Sequence, residues 1–199
     1  MPEPLLGNVT LPLFPLNTVL FPGGPLPLRI FETRYTDMVR RCMREGSSFG
    51  VVLIRAGGEV GAVASTADVG TTARIVDFDQ LQDGLLGIAC RGERKFRIRR
   101  RSLQADGLNV GEVEWLPAEP AVSLPLEYRH LADLLRKVLP ELGAAYADIP
   151  REFDDAGWVG ARLLELLPLS PADKQACLEL EDPLLRLEQI APLIRQEES

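Results

Sequence analysis

The residues able to carry covalent or acid–base chemistry are few: three cysteines, Cys42, Cys90 and Cys177, and one histidine, His130. The cysteines lie far apart and form no C-x-x-C pair. An odd number in a chain this long suggests reduced, buried thiols and a cytoplasmic setting. One histidine excludes a multi-histidine metal site and leaves a single imidazole base. It falls mid-helix in EYRHLADLL beside an apolar stripe. A Cys–His pair is arithmetically open, and the plainer reading is an ordinary helical histidine. Glu152, Asp154 and Asp155 read as a solvated acidic loop, since a hard cation needs more oxygen ligands at loop spacing. The chain holds no G-x-x-x-x-G-K-[ST], G-x-G-x-x-G or H-E-x-x-H, and its lysines number three, Lys95, Lys137 and Lys174. No catalytic residue, cofactor site or metal site is expected.

Two segments have the composition of binding surfaces instead. In residues 94–101, RKFRIRRR, a period of two places Phe96 and Ile98 on one face with Arg94 and Arg100, and aligns Lys95, Arg97, Arg99 and Arg101 on the other. Such a row is either a phosphate-contacting strand or the solvated face of a sheet, paired across strands with acids such as Glu112 and Glu114. No aromatic residue interleaves with the cations to stack bases. The second segment is Phe14-Pro15-Leu16-Asn17-Thr18-Val19-Leu20-Phe21-Pro22. Much of it belongs in a core. A Pro-stiffened connection that exposed part of its apolar surface would present a capture surface at low entropic cost. Phe14, Leu16, Val19 and Phe21, with Arg29, Phe31 and Tyr35 at the entry to the first helix and with Trp158, are the polypeptide-binding candidates.

The elements that must position these residues divide the chain in two. Strands are expected at 9–14, 26–31, 49–55, 69–81, 85–91, 94–103 and 108–116. A helix at 32–45 has Tyr35, Met38, Val39, Cys42 and Met43 on one face. Pro22-Gly23-Gly24-Pro25, Gly57-Gly58, Asp83-Gly84 and Asp106-Gly107 turn the chain. The later strands form a β-meander, expected to roll into a small barrel. After Pro117-Ala118-Glu119-Pro120 the period becomes helical: one helix bearing Leu124 to Leu139, a short one near 142–146, one at 157–167, and two opened by Ser170-Pro171 and Asp182-Pro183. The domains are therefore a β-rich part at 1–117, a linker at 118–121 and a helical bundle at 122–199.

Charge divides the same way. The chain has 199 residues, 46% apolar, and a net charge of −7. Residues 1–121 hold 14 cations against 14 acids, whereas residues 122–199 hold 8 against 15. An acidic chain disfavours nucleic acid and anionic membranes as partners. The uncharged stretch at 4–28 has no preceding positive charge and six prolines, which forbid the helix of a signal peptide or membrane span.

LPLFPLNTVLFPGGPLPLRIFETRYTDMVRRC, then FGVVLI, VGTTARIVDF, RGERKFRI and LPLSPADKQACLEL, resembles the N-terminal, substrate-recognition domain of Lon-type ATP-dependent proteases, in the style of stand-alone bacterial Lon-domain proteins. The likeness covers residues 9–195. It implies an α+β fold, a PUA-like barrel followed by a helical bundle, and a non-enzymatic module that binds unfolded or client polypeptides, with a protease in trans as a further partner. The ATPase and Ser–Lys protease motifs of the family have no counterpart here. The alternative is an RNA-binding PUA-like protein using residues 94–101.

Overall fold

Runs of β-branched and aromatic residues punctuated by Gly and Pro give way, after Trp115, to segments of helical period. The computed structural model describes residues 9–59 and 63–197; residues 4–8 of the uncharged proline-rich stretch lie outside the described residues. The chain divides into two compact units, Met1–Pro22 with Leu26–Pro117, and Gly23–Pro25 with Ala118–Ser199.

The first unit runs β1 (Val9–Leu16), β2 (Pro25–Ile30), α1 (Thr33–Glu45), β3 (Phe49–Gly57), β4 (Val63–Thr66), β5 (Val69–Gln80), β6 (Leu86–Leu103) and β7 (Asn109–Trp115). These strands form one seven-stranded mixed sheet in the order β1-β7-β6-β5-β3-β4, with β2 paired to β6 and β1 also paired to β3. The expected β-meander is thereby corrected. A meander pairs only chain neighbours, whereas β1 lies antiparallel to β7, with Leu11 opposite Gly111, and parallel to β3, with Leu13 opposite Gly50. The strands expected separately at 85–91 and 94–103 are one 18-residue strand, β6.

The helix α1 buries Tyr35, Met38, Val39 and Cys42, the face its spacing predicts, and ends where Gly46 turns left-handed and donates its N–H to the Cys42 carbonyl. That face joins Phe14, Leu16, Leu20, Phe49, Val51, Ile88 and Cys90 in one core. A second cluster comes wholly from strands: Leu11, Leu13, Val52, Phe96, Ile98 and Val113. Adjacent residues Leu13 and Phe14 thus serve different clusters, as strand alternation requires. Phe96 is fully buried. A Cβ at Gly50 would stand 2.6 Å from its ring, and one at Gly70 would stand 2.8 Å from the ring and 2.3 Å from the Val51 carbonyl oxygen.

The second unit carries α2 (Arg129–Val138), flanked by 3-10 turns at Leu126–Tyr128 and Leu139–Leu142, then α3 (Ala144–Ala147), α4 (Ala156–Leu166), α5 (Pro171–Glu179) and α6 (Pro183–Glu197). Among the described residues after Trp115 there is no strand, only an isolated bridge between Ser123 and Asp155. The start signals act as their chemistry dictates: the Ser170 hydroxyl accepts from the Asp173 N–H at 3.1 Å, and Asp182 accepts from the Leu184 N–H at 2.8 Å. α4 packs on α2 and α6. Two arginines are buried here. Arg162 holds Glu165 through two bonds of 2.9 and 2.6 Å. Arg186 grips Glu119 through bonds of 2.8 and 2.5 Å and also donates to the Cys177 and Leu180 carbonyls.

Two stability predictions follow from these contacts. Gly70→Ala forces a methyl against backbone and ring, and urea unfolding is expected to report a loss of about 3 kcal/mol; a loss under about 0.5 kcal/mol, the surface level, would refute the crowding. Glu119→Gln removes the charge that balances the buried Arg186 guanidinium, and urea unfolding is expected to report a loss of about 2–3 kcal/mol, less than for a fully buried pair because Glu119 keeps some solvent and the guanidinium keeps its carbonyl partners.

Candidate functional site

The apolar loop after β1 is core. Phe14, Leu16, Val19 and Phe21 are all buried, and the residues that face solvent at its tip are the polar pair Asn17 and Thr18. Phe14 stacks on Tyr35 with ring centroids 4.1 Å apart and planes 10° from parallel. The Asn17 N–H donates to Glu59 Oε1 at 2.6 Å, and the loop lies so close to β6 that a Cβ at Gly92 would stand 2.2 Å from the Phe21 carbonyl oxygen. Tyr35 is buried too, and burial pushes its phenol pKa up. These five candidates therefore leave the list of exposed capture residues. Proline stiffening serves packing here, because the loop covers the sheet with its apolar side chains turned inward.

Trp158 lies in the second unit, half-buried on α4, where its ring meets Phe153 edge-on at 5.1 Å and the Arg162 guanidinium at 5.9 Å.

The cationic row of residues 94–101 is also reshaped. Lys95 is buried, and a register shift between Ile98 and Arg100 breaks the alternation, so that Arg99 and Arg100 are both exposed. Arg99 reaches Glu114 at 2.5 Å, Arg100 reaches Glu112 at 3.8 Å, and Arg101 reaches Asp68 at 2.7 Å. Arg97 stands opposite Glu114 in the sheet register. The acids named for cross-strand pairing do pair, and the face is charge-balanced rather than phosphate-ready.

Exposed apolar surface appears elsewhere in the first unit. Phe31 is 57% and Phe78 58% exposed, and Val76, two residues before Phe78 on β5, is exposed too. Past Ala73, β5 loses β3 as a partner and continues with β6 alone to Gln80 opposite Leu86. This two-stranded extension turns at Gly84 and is tied to β2 by an Arg29–Asp83 ion pair. Between β2 and the extension lies a groove of about 370 Å³, with Leu28, Phe78, Leu81 and Ile88 among its lining. Its volume is at the low end for ligand clefts, about 300–1,000 Å³. Arg29 lines it, so this candidate does belong to an exposed groove; Phe31 follows directly after β2. A larger cleft of about 490 Å³ is lined by both signs of charge, Arg41 and Arg94 with Glu45 and Glu93, and there Arg94 covers Trp115 at 4.7 Å.

The groups considered for catalysis are not assembled for it. Burial pushes the thiols of Cys42 and Cys177 up and that of Cys90 up to about 12, which keeps them protonated and weakly nucleophilic. His130 is exposed on α2. Asp155 caps α4 by accepting the Trp158 N–H at 2.7 Å. Among the described residues no three His, Cys, Asp or Glu side chains gather as a metal site. No described helix is long and apolar enough to cross a membrane.

Sequence signal for Phe78 existed in VDFDQ, where apolar and acidic residues alternate as on a half-solvated strand.

A family model described as the ATP-dependent protease La (Lon) substrate-binding domain matches residues 10–196. Lon protease 2 of Myxococcus xanthus is 28% identical over 193 residues, covering 94% of this chain and 23% of that protein. The chain thus spans about a quarter of the length of such relatives. Zebrafish (Danio rerio) cereblon is 31% identical over 111 residues, 54% of this chain and 25% of that protein. The crystal structure of a Lon N-terminal domain protein from Xanthomonas campestris superposes with a TM-score of 0.76 at 43% identity, covering 92% of this chain and 98% of that one. The N-terminal domain of the Mycobacterium avium complex Lon protease shares the fold, with a TM-score of 0.67 at 20% identity over 92% of this chain and 96% of that one.

Burial of the loop makes a specific prediction. Leu16→Ser with Val19→Ser is expected to lower the thermal midpoint steeply, with a combined cost of about 4 kcal/mol or more, and Phe14→Ala to cost about 3–5 kcal/mol. An unchanged midpoint in differential scanning calorimetry would return these side chains to the surface.

Proposed function

Because the chain belongs to the family of Lon substrate-binding domains, we propose that it is a non-enzymatic polypeptide-binding module whose contact surface is the groove beside Phe78. The observation that carries the reading is that groove: Phe78 stands exposed in its largely apolar lining, with exposed Phe31 just past the β2 end that borders it, on a unit whose other aromatic side chains are mostly packed away. Single exposed apolar residues are ordinary, but a contiguous strip beside a cleft marks an interaction site. Its clients would be unfolded segments, which offer apolar side chains that a folded surface hides.

Catalysis has no support in the residues present. The thiols are held protonated, the one histidine is solvent-facing, and no phosphate-cradling sequence occurs. The ATPase and protease activities of the long relatives would then come from a partner in trans, in the reducing cytoplasm that three free thiols suit. RNA binding draws no support from residues 94–101, whose arginines are matched by Glu112, Glu114 and Asp68.

The test is a double variant, Phe31→Ser with Phe78→Ser, measured by fluorescence anisotropy against a permanently unfolded carboxymethylated protein. Affinity is expected to fall tenfold or more, equivalent to about 1.4 kcal/mol, with the thermal midpoint kept. Undiminished binding by a folded double variant would remove the groove from the site. Binding that collapses with salt would point instead to an electrostatic partner.

A further inference from the structure

We propose that a client segment joins the sheet as an added strand, along the outer edge of β5 beyond Ala73, and that the segment so held bears basic side chains; this rests on the polypeptide-binding reading above. β3 accompanies β5 only as far as Phe49 opposite Ala73, whereas β5 runs on beside β6 to Gln80 opposite Leu86. Among the described strands none takes the place that β3 leaves, and residues 76–80 are all exposed.

The register decides which backbone groups face that edge. In an antiparallel pair, alternate residues direct both N–H and C=O at the neighbouring strand. The Leu81 N–H donates to the Leu85 carbonyl at 2.8 Å, so Leu81 faces β6, and with it Asp79 opposite Gly87 and Asp77 opposite Ala89. Phe78 and Gln80 therefore direct their backbone groups outward. Side chains satisfy the two donors: the Phe78 N–H donates to Asp77 Oδ1 at 2.9 Å and the Gln80 N–H to Asp79 Oδ1 at 2.8 Å. Each carboxylate takes the part that a carbonyl of a further strand would play. An exposed edge of this kind is where an extended peptide adds, by main-chain bonds.

Charge selects the guest. An added strand brings carbonyls for both N–H groups and frees the two carboxylates. Among the described residues neither aspartate has a cation as partner, and Arg29 of β2 is committed to Asp83. A strand lying in the sheet places alternate side chains on the face of Asp77 and Asp79, and the intervening ones on the face that Phe78 shares with Ile88. Basic side chains in the first set meet the freed carboxylates across the seam, and side chains in the second set cover the exposed Phe78 ring. A second copy of this chain fits the edge poorly, because pairing two such edges gathers four carboxylates along one seam.

The experiment titrates the full chain, isotope-labelled for NMR, with twelve-residue unstructured peptides that carry a central Lys-Val-Lys-Val-Lys or Glu-Val-Glu-Val-Glu. Saturation with the lysine peptide is expected to slow amide exchange at Phe78 and Gln80 tenfold or more. Exchange at Asp77 and Asp79, whose amides already face β6, should change little. Two further lysine peptides carry N-methyl groups, one on both valines and the other on two of the lysines. Only alternate guest amides face the host, so one of these should lose affinity tenfold or more and the other should keep it. The glutamate peptide should bind at least fivefold more weakly than the lysine peptide at low salt. That gap should close in Asp77→Asn with Asp79→Asn, whose amide oxygens keep the local backbone bonds. Equal losses from the two N-methylated peptides, or binding that leaves Phe78 and Gln80 exchanging as before, would overturn strand addition while leaving polypeptide binding intact. A glutamate peptide bound as tightly as the lysine peptide would overturn the basic guest. Protection of the same two amides by raising the concentration of the chain alone would give the edge to a second copy and overturn the proposal. No binding of any peptide would overturn both readings.

Discussion

The ring of Phe96 occupies the space where side chains at positions 50 and 70 would begin, and the first unit is organised around that fact. β3 and β5 each contribute a glycine so that β6 can seat its largest apolar side chain between them. Only because this approach is so close do Leu13, Val52, Ile98 and Val113 complete a cluster made wholly from strands. Density of this kind resists change, since a core packed like an organic crystal has no slack for an added methyl. Beyond Ala73 the strand keeps only β6 as a partner, and the ribbon that runs on carries Val76 and Phe78 into solvent. A rigid seat at one end of the hairpin thus positions an exposed aromatic at the other.

In the second unit the corresponding role falls to charge. Replacing a buried ion pair by apolar residues is often harmless to stability, so the buried arginines are better explained by what they orient. Arg186 binds the Cys177 and Leu180 carbonyls, which close the end of α5, and uses its remaining donors to hold Glu119. One side chain therefore both satisfies orphan carbonyls at a helix terminus and fixes the segment that follows Pro117. Around Arg162, Glu165 accepts from the Tyr146 hydroxyl at 3.1 Å as well. Burial pushes the Glu165 carboxyl up while the adjacent guanidinium pulls it down.

Elements with a strong local signature were legible in the sequence. α1 begins and ends within a residue of its apolar pattern, and Ser170 and Asp182 open helices by side-chain bonds that their position before Pro implies. What the sequence concealed was set by tertiary partners. β1 pairs with β3 and β7, and no local pattern encodes a parallel neighbour across a helix. The strands expected at 85–91 and 94–103 are one, and Gly92 between them admits the Phe21 backbone. The bulge after Ile98 moved Arg99 and Arg100 to one exposure class, and Lys95 went inside despite its charge. β4 is too short and ordinary in composition to announce itself. At the candidate site, Arg29 and Phe31 were found by their place at the helix entry. Phe78 was missed because exposure on a two-stranded ribbon depends on where a third strand ends.

A groove of this size sets the kind of binding it can support. Burying one aromatic side chain removes about 150–250 Å² from water, which at about 25 cal/mol/Å² is worth roughly 4–6 kcal/mol before costs. Ordering a flexible guest and restricting its motion consume much of that gain, so one side chain alone holds no tighter than about millimolar. Charged groups at the rim of a groove act in general on encounter rate and choice of guest more than on the depth of the minimum. Tight capture would then require a longer segment offering several apolar positions, or a second site raising the effective concentration of the first. A folded surface offers neither, because its apolar residues are scattered and turned inward. Under the proposed function, weak recognition per side chain would itself be a filter for unfolded chains, and would let a held segment be passed on without a large barrier to release.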